Sequence, residues 1–264
     1  MGGSDQVVAR HRAQVMGTIF SFCLVAPAEV GRRAVGEALA EAVAELRAVD
    51  ATFSPFREGS LVSRVRRGEL SPESYPPPLV DVMERCNAMR AATDGWFDAW
   101  AVPGGFDPSG LVKGWGIERA AARLRAGGIQ SYAINGGGDI VVRGEAPRGG
   151  GWRVGIRHPR DPASVLMVLE LTEGAVATSG SYERGGHVVN PKTGEPAGGL
   201  ASATVLGPNL GFADAYATAL YAAGPPALSW FPTVDGYHAI VIDDKLTGTF
   251  TEGIAGRRLL SPAA

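Results

Sequence analysis

The order in which strand-like and helix-like patterns follow one another narrows the fold more than any single motif. Residues 14–26 are β-branched and aromatic enough, with enough alternation, to begin as a strand. Helical spacing then takes over. Ala38, Ala42, Leu46 and Val49 share one face of a helix over 35–49, and a turn with a short helical piece lies within 54–67. Pro76-Pro77-Pro78 opens a helix over 79–92, and Ile117, Ala120, Ala121 and Leu124 line one over 113–126. From Tyr132 onward strands dominate: two pieces within 132–142, then 152–156, 165–171, 175–178 and 202–206. A helix over 212–223 and a closing hairpin of 237–243 with 247–251 complete the chain. Without a regular strand–helix–strand rhythm, this order predicts an α+β fold of mixed sheets with packed helices over a doubly wound one. Gly137-Gly138 lacks the glycine spacing of a dinucleotide fingerprint.

At 264 residues the chain can bury a substantial core, and 45% hydrophobic with 20% charged residues is ordinary for a globular protein. A net charge of -2 gives no nucleic-acid footprint, and Arg64-Val65-Arg66-Arg67 reads as solvated surface. The two cysteines, Cys23 and Cys86, have neither disulfide-framework nor metal-ligand spacing. No secretory signal, lipoprotein anchor, myristoylation pattern or membrane-length apolar run is read, so the expected location is cytoplasmic.

Chemistry concentrates in Gly104-Gly105-Phe106-Asp107-Pro108-Ser109-Gly110-Leu111-Val112-Lys113-Gly114-Trp115. A carboxylate, an ammonium and several glycines stand there at the start of a helical pattern. Pro108-Ser109-Gly110 reads as a turn whose following helix N-terminus suits an anion; a tight loop with a solvated Asp and Lys fits the same residues. Asp214 and Thr218 lie one helical turn apart and offer hard oxygens suited to magnesium. They fit equally a first-turn acid and a buried hydroxyl. Thr178-Ser179-Gly180 can approach phosphate, and His187 stands where an imidazole serves either as a general base or as a hydrogen-bonded strand end. Trp96 and Phe97 beside Asp98 suit a planar heterocycle, or a core with a turn; Phe53-Ser54-Pro55-Phe56 and Met16-Gly17-Thr18 carry the same ambiguity.

Taken in order, these segments resemble the ApbE family of flavin transferases. The resemblance runs through Met16-Gly17-Thr18, Phe53 to Phe56 with Ser60, Gly95 to Asp98, Asp107 to Gly114, Asn135 to Asp139, Thr178 to Gly180, His187 to Gly194 and Ala213 to Thr218. It implies a single compact ApbE-like domain over 14–256, with division into two similar sub-domains open, a flexible segment 1–13 and a tail 257–264. It further implies magnesium-dependent cleavage of FAD and attachment of FMN to a threonine of an acceptor protein, with AMP released. By matching motif, Met16, Phe56, Trp96, Phe97, Asp98, Asp107, Lys113 and Val189 are expected to contact FAD. Gly110 (through its carbonyl), Asp214 and Thr218 are expected to hold magnesium, and His187 to take the acceptor proton. FAD, an acceptor bearing a threonine flavinylation motif, no nucleic acid and no membrane anchor are the expected partners. Hydrolysis of FAD to FMN and AMP, or FAD binding without turnover, uses the same residues.

The chain departs from the family's pattern at three places. Asp98 and Asp107 are only nine positions apart, and Asn190 and Ala217 stand where acids are frequent. Loss of those acids predicts weaker magnesium binding than in members that keep both.

Overall fold

The computed structural model of the protein describes residues 6–180, 188–231, 236–255 and 259–260. Its centre is an eight-stranded sheet of β1 (Gln6–Val15), β2 (Thr18–Pro27), β3 (Ser131–Gly136), β4 (Asp139–Arg143), β7 (Glu173–Gly180), β8 (Leu200–Gly207), β9 (His238–Asp243) and β10 (Gly248–Phe250). The strands lie in that order and every neighbouring pair is antiparallel. A smaller sheet is formed by β5 (Trp152–His158), β6 (Asp161–Leu171) and β11 (Leu259–Leu260), with β6 in the middle.

Side-chain alternation sorts the layers. Phe20, Phe22 and Leu24 of β2 point into a core built with the helices α1 (Gly31–Phe53), α3 (Pro77–Ala92), α4 (Ser109–Ala126) and α5 (Leu210–Ala223). Val142, Val176, Leu206, Ile240 and Ile242 leave the opposite face and meet Trp152, Val154, Ile156, Leu169 and Leu171 of the small sheet. The large sheet is thus the middle layer of three, and takes strands from both ends of the chain as one unit rather than two similar sub-domains. β8 is buried along its whole length because both of its faces are covered. The short α2 (Leu61–Arg66) begins at Ser60, whose hydroxyl accepts the Ser63 N–H, and α6 (Glu252–Ala255) follows β10.

Most expected elements are present, with shifted ends. The strand expected within 14–26 is broken by the Met16-Gly17 turn into the end of β1 and all but the last residue of β2, and residues 6–13 of the segment expected to be flexible pair in unbroken register with β2. Their polar, exposed side chains (Arg10, His11, Arg12) are those of an edge strand. In the expected tail, Leu259–Leu260 pairs with β6. The helix expected from Lys113 begins at Ser109, which places Ser109 and Gly110 in its first turn instead of a preceding loop.

Two contacts fix α5 against α4. Gly114 and Gly211 let the backbones touch: a Cβ on Gly114 would lie 2.5 Å from the Leu210 carbonyl oxygen and 2.8 Å from the Gly211 nitrogen. Glu118 then caps α5, accepting the Leu210 N–H at 2.5 Å and the Asn209 side-chain amide at 2.7 Å, while Asn209 Oδ1 accepts the Phe212 N–H. Gly114→Ala must push backbone against backbone, and is expected to cost about 1–3 kcal/mol in urea unfolding. Gly59→Ala, into open space, is the control and should change stability by less than about 0.5 kcal/mol. Equal behaviour of the two variants would contradict the close approach.

Candidate active site

The end of the sheet where β4 begins, between α4 and α5, holds three charges together. Asp139 opens β4 and is fully buried; its Oδ1 accepts the Thr178 N–H at 3.3 Å and its Oδ2 ion-pairs with Lys113 Nζ. Asp214, on the second turn of α5 and 4% exposed, faces the same group. Burial first, and the Asp139 charge second, hold the Asp214 carboxyl well above the usual aspartate range; Lys113 and the Gly114 N–H oppose this. One ammonium facing two carboxylates leaves a negative excess when both are ionised, and Asp214 Oδ2 has no hydrogen-bond partner among the described residues.

Thr218 lies one turn beyond Asp214, with Oγ1 3.4 Å from Ser179 Oγ. Gly110 lies directly opposite, since a Cβ there would stand 3.0 Å from Thr218 Oγ1. A carboxyl oxygen without a partner, a hydroxyl and a side-chain-free backbone beside it offer hard oxygens of the kind that suit a small divalent cation. Among the described residues no cluster of three His, Cys, Asp or Glu side chains forms a metal site, so any cation here depends on hydroxyl and backbone oxygens as well.

Lys113 is common to three adjoining cavities. The first, about 440 Å³, is apolar and runs along Met16, Val49, Phe53, Pro55 and Phe56. The second, about 240 Å³, contains Phe56, Trp96, Phe97, Asp98, Asp107, Gly110, Val189, Asp214 and Thr218. The third, about 510 Å³, opens on the other side of Lys113 beside Gly137 and Gly138. Every described residue expected to serve the site therefore lines one of the first two. His187 lies outside the described residues.

Several of these residues already carry structural tasks. Met16 and Gly17, both at positive φ (50° and 70°), form the two-residue β1–β2 turn, and the Met16 methyl reaches the region beside Gly116. Phe56 is 88% exposed at the rim, whereas Phe97 is buried, with its ring edge 3.3 Å from where a Gly110 Cβ would be. Trp96 receives Lys192 Nζ over its ring at 4.2 Å, and Lys192 also pairs with Asp94. Asp98 accepts the Trp100 N–H and pairs with Arg90; Asp107 accepts the Ser109 N–H and pairs with Arg66. The start of α4, expected to attract an anion, is thus partly satisfied by Asp107. The short connection from Asp98 to Asp107 is closed by local hydrogen bonds, including Asp107 N–H to the Ala99 carbonyl at 2.7 Å.

Asp139 is the buried charge of this candidate site to which sequence reasoning gave no role; an acid heading the otherwise apolar Ile140-Val141-Val142 was the available signal. Ala217 corrects a second expectation. It is fully buried in the helix-side core and is not among the residues lining the three cavities. Asn190 shapes a turn, accepting the Lys192 N–H with its side chain.

The ApbE family profile matches residues 16–104 and 101–241. The chain belongs to the ApbE family. It is 32% identical over 195 residues to a FAD:protein FMN transferase of Vibrio cholerae, covering 67% of this chain and 56% of that protein. Against a FAD:protein FMN transferase of Rhodobacter capsulatus it is 38% identical over 126 residues, covering 45% and 24%. The chain thus spans about half, or less, of the length of these curated relatives. The flavin transferase ApbE structure from Vibrio cholerae superposes with a TM-score of 0.85 at 22% identity, over 97% of this chain and 100% of that one. The ApbE protein of Thermotoga maritima gives 0.80 at 22%, over 94% and 98%. At that identity the two structures establish the α+β fold.

The two phenylalanines should separate in experiment. Phe97→Ala removes a buried ring and is expected to cost about 3–5 kcal/mol in denaturant unfolding. Phe56→Ala should leave stability within about 0.5 kcal/mol. Matching losses would contradict their placement. Asp214 gives a pH signature in chelator-treated protein. Because its folded-state carboxyl binds a proton more tightly than the unfolded one, its contribution is complete below the ordinary aspartate range and is lost as pH rises through the raised value. The stability of wild type relative to Asp214→Asn should therefore fall between acid pH and neutrality. A constant or rising difference in urea midpoints would contradict the charge arrangement.

Proposed function

We propose that the protein is a magnesium-dependent FAD:protein FMN transferase, moving FMN from FAD to a threonine hydroxyl of an acceptor protein and releasing AMP. The supporting observation is the buried Asp214 Oδ2, which has no hydrogen-bond partner among the described residues and shares one cavity with Thr218, Gly110, Lys113, Trp96 and Phe97. The first two cavities, on the aromatic side, hold FAD: it is larger than either volume, and Phe56, Ser109 and Lys113 line both. Met16, Phe56 and Trp96 supply apolar surface for its rings, and Phe97 forms the floor from below.

Asp214, Thr218 and the Gly110 carbonyl hold magnesium in this reading. When bound, the ion offsets pyrophosphate charge and stabilises the oxygen that departs with AMP. Lys113 keeps an ammonium beside the same phosphates while Asp139 fixes its position. The threonine Oγ forms a bond to the phosphorus of the FMN half as the bond from that phosphorus to the bridging oxygen breaks. The electron pair leaves with AMP, and His187 takes the hydroxyl proton. Both cysteines are free thiols, in keeping with a reducing compartment, and we place the activity in the cytoplasm. Among the described residues no helix is long and apolar enough to cross a membrane.

Incubation with FAD, magnesium and a threonine-containing acceptor peptide, followed by intact mass, is the test. The peptide is expected to gain one FMN with one AMP released, and to gain none with EDTA or in Asp214→Ala that folds by circular dichroism. His187→Ala should keep FAD and lose about 100-fold or more in transfer rate. Transfer that survives both EDTA and Asp214→Ala would sink the metal assignment; FMN and AMP release without peptide modification, across acceptor sequences, would mark a hydrolase.

A further inference from the structure

The third cavity has a chemistry unlike the other two. Among the described residues its lining has no aromatic side chain, and beside Ile19 and Ile140 it is hydroxyl, amide and bare backbone: Thr18, Ser21, Asn135, Gly137 and Gly138. The β3–β4 turn keeps that backbone open, with Gly137 and Gly138 at φ 64° and 100° and the Gly138 N–H donated to Asn135 Oδ1. It continues into a further cavity of about 480 Å³ along β1, β2 and β3, the two sharing Arg12, Ser21 and Asn135. Cross-strand register aligns Arg10 with Cys23 and Arg12 with Ser21, so both arginines stand on the cleft face of the edge strand. Arg157 lines the other wall. Among the described residues, none lining either cavity is Asp or Glu.

We propose that this cleft is the docking surface for the acceptor protein, and that its occupant is an extended, acidic segment carrying the threonine. The inference rests on the transferase reading and adds the route by which the second substrate reaches the first. Three observations favour a polypeptide over the nucleotide. The cleft is an elongated trough of two confluent cavities beside an edge strand, the shape of an extended chain. The floor of the cavity nearer Lys113 offers hydroxyl, amide and backbone partners to main-chain N–H and C=O groups, and rings (His11 and Phe22) line only the outer cavity. Its inner end reaches Lys113 and Thr178, which also line the cavity of Asp214 and Thr218, so a hydroxyl delivered along it arrives at the phosphates. The arginines make the trough complementary to aspartate or glutamate flanking that threonine, a complementarity that speeds encounter and selects partners.

The test uses the full chain with FAD and magnesium, and two fluorescein-labelled peptides: one with a threonine between aspartates, and a copy with every aspartate replaced by asparagine. Anisotropy at low salt should show the acidic peptide binding more tightly than its copy. Arg10→Glu/Arg12→Glu should weaken the acidic peptide by about tenfold or more and abolish the discrimination, and Arg12→Gln should do so in part. FAD affinity, from flavin fluorescence, should not change in either variant. Equal binding of the two peptides, or unchanged binding by the double variant, overturns the proposal. So does a change in FAD affinity without a change in peptide affinity, which would give the cleft to the nucleotide. Mass analysis of the same samples keeps the parent reading separate. A peptide that docks through the arginines but never gains FMN sinks the transferase and spares the docking surface; one modified equally by wild type and variant does the reverse.

Discussion

Two carboxylates buried around one ammonium set the terms for the rest of the structure. An isolated buried charge is expensive, and Lys113 offsets only one of the two it faces. Asp139 has both the ion pair and a backbone N–H, whereas Asp214 keeps one oxygen without a partner. The protein tolerates that cost through the large core on the helix side. What it gains is a carboxyl oxygen open to a cation, with the Ser179 and Thr218 hydroxyls side by side and Gly110 close to Thr218.

The surrounding architecture reads as support for that placement. Gly114 and Gly211 bring α4 and α5 into backbone contact, and Glu118 fixes the start of α5, so Asp214 and Thr218 face Gly110 and Lys113 across a defined gap. The β1–β2 and β3–β4 hairpins both end in two-residue turns at positive φ, one presenting Met16 and the other bare glycine backbone. The cavities gathered around Lys113 thus divide by chemistry, aromatic on one side and polar with arginines on the other.

Much of this was legible in the sequence, for reasons tied to particular residues. Apolar spacing gave α1 and α4, because a helix packed on a sheet must carry an apolar stripe, and the prolines at 76–78 marked the start of α3. The start of α4 was misjudged because Pro-Ser-Gly has turn propensity, while Asp107, whose carboxylate accepts the Ser109 N–H at that end, had been read as a ligand or a solvated loop acid. Residues 6–13 of β1 went unread because they carry arginine and histidine on an exposed edge, which destroys the alternation while leaving the backbone pairing intact. Asp139 was missed because a lone acid after glycines looks like a turn residue; only the fold brings it to Lys113, twenty-six positions earlier in the chain. Ala217 faces the core for the same kind of reason: helical phase, invisible without the partner layers, decides which neighbour of Thr218 looks into the cavity.

In the proposed reaction the cation and the pyrophosphate meet at Lys113, Asp214, Thr218 and Gly110. A crystal structure with FAD and manganese, read by its anomalous signal, addresses it directly. The account predicts one anomalous peak bonded to Asp214 and Thr218 and to the Gly110 carbonyl, with the FAD phosphates beside Lys113 and the flavin and adenine on the aromatic side. A manganese peak elsewhere, or phosphates lying in the arginine cleft away from Asp214, would contradict it.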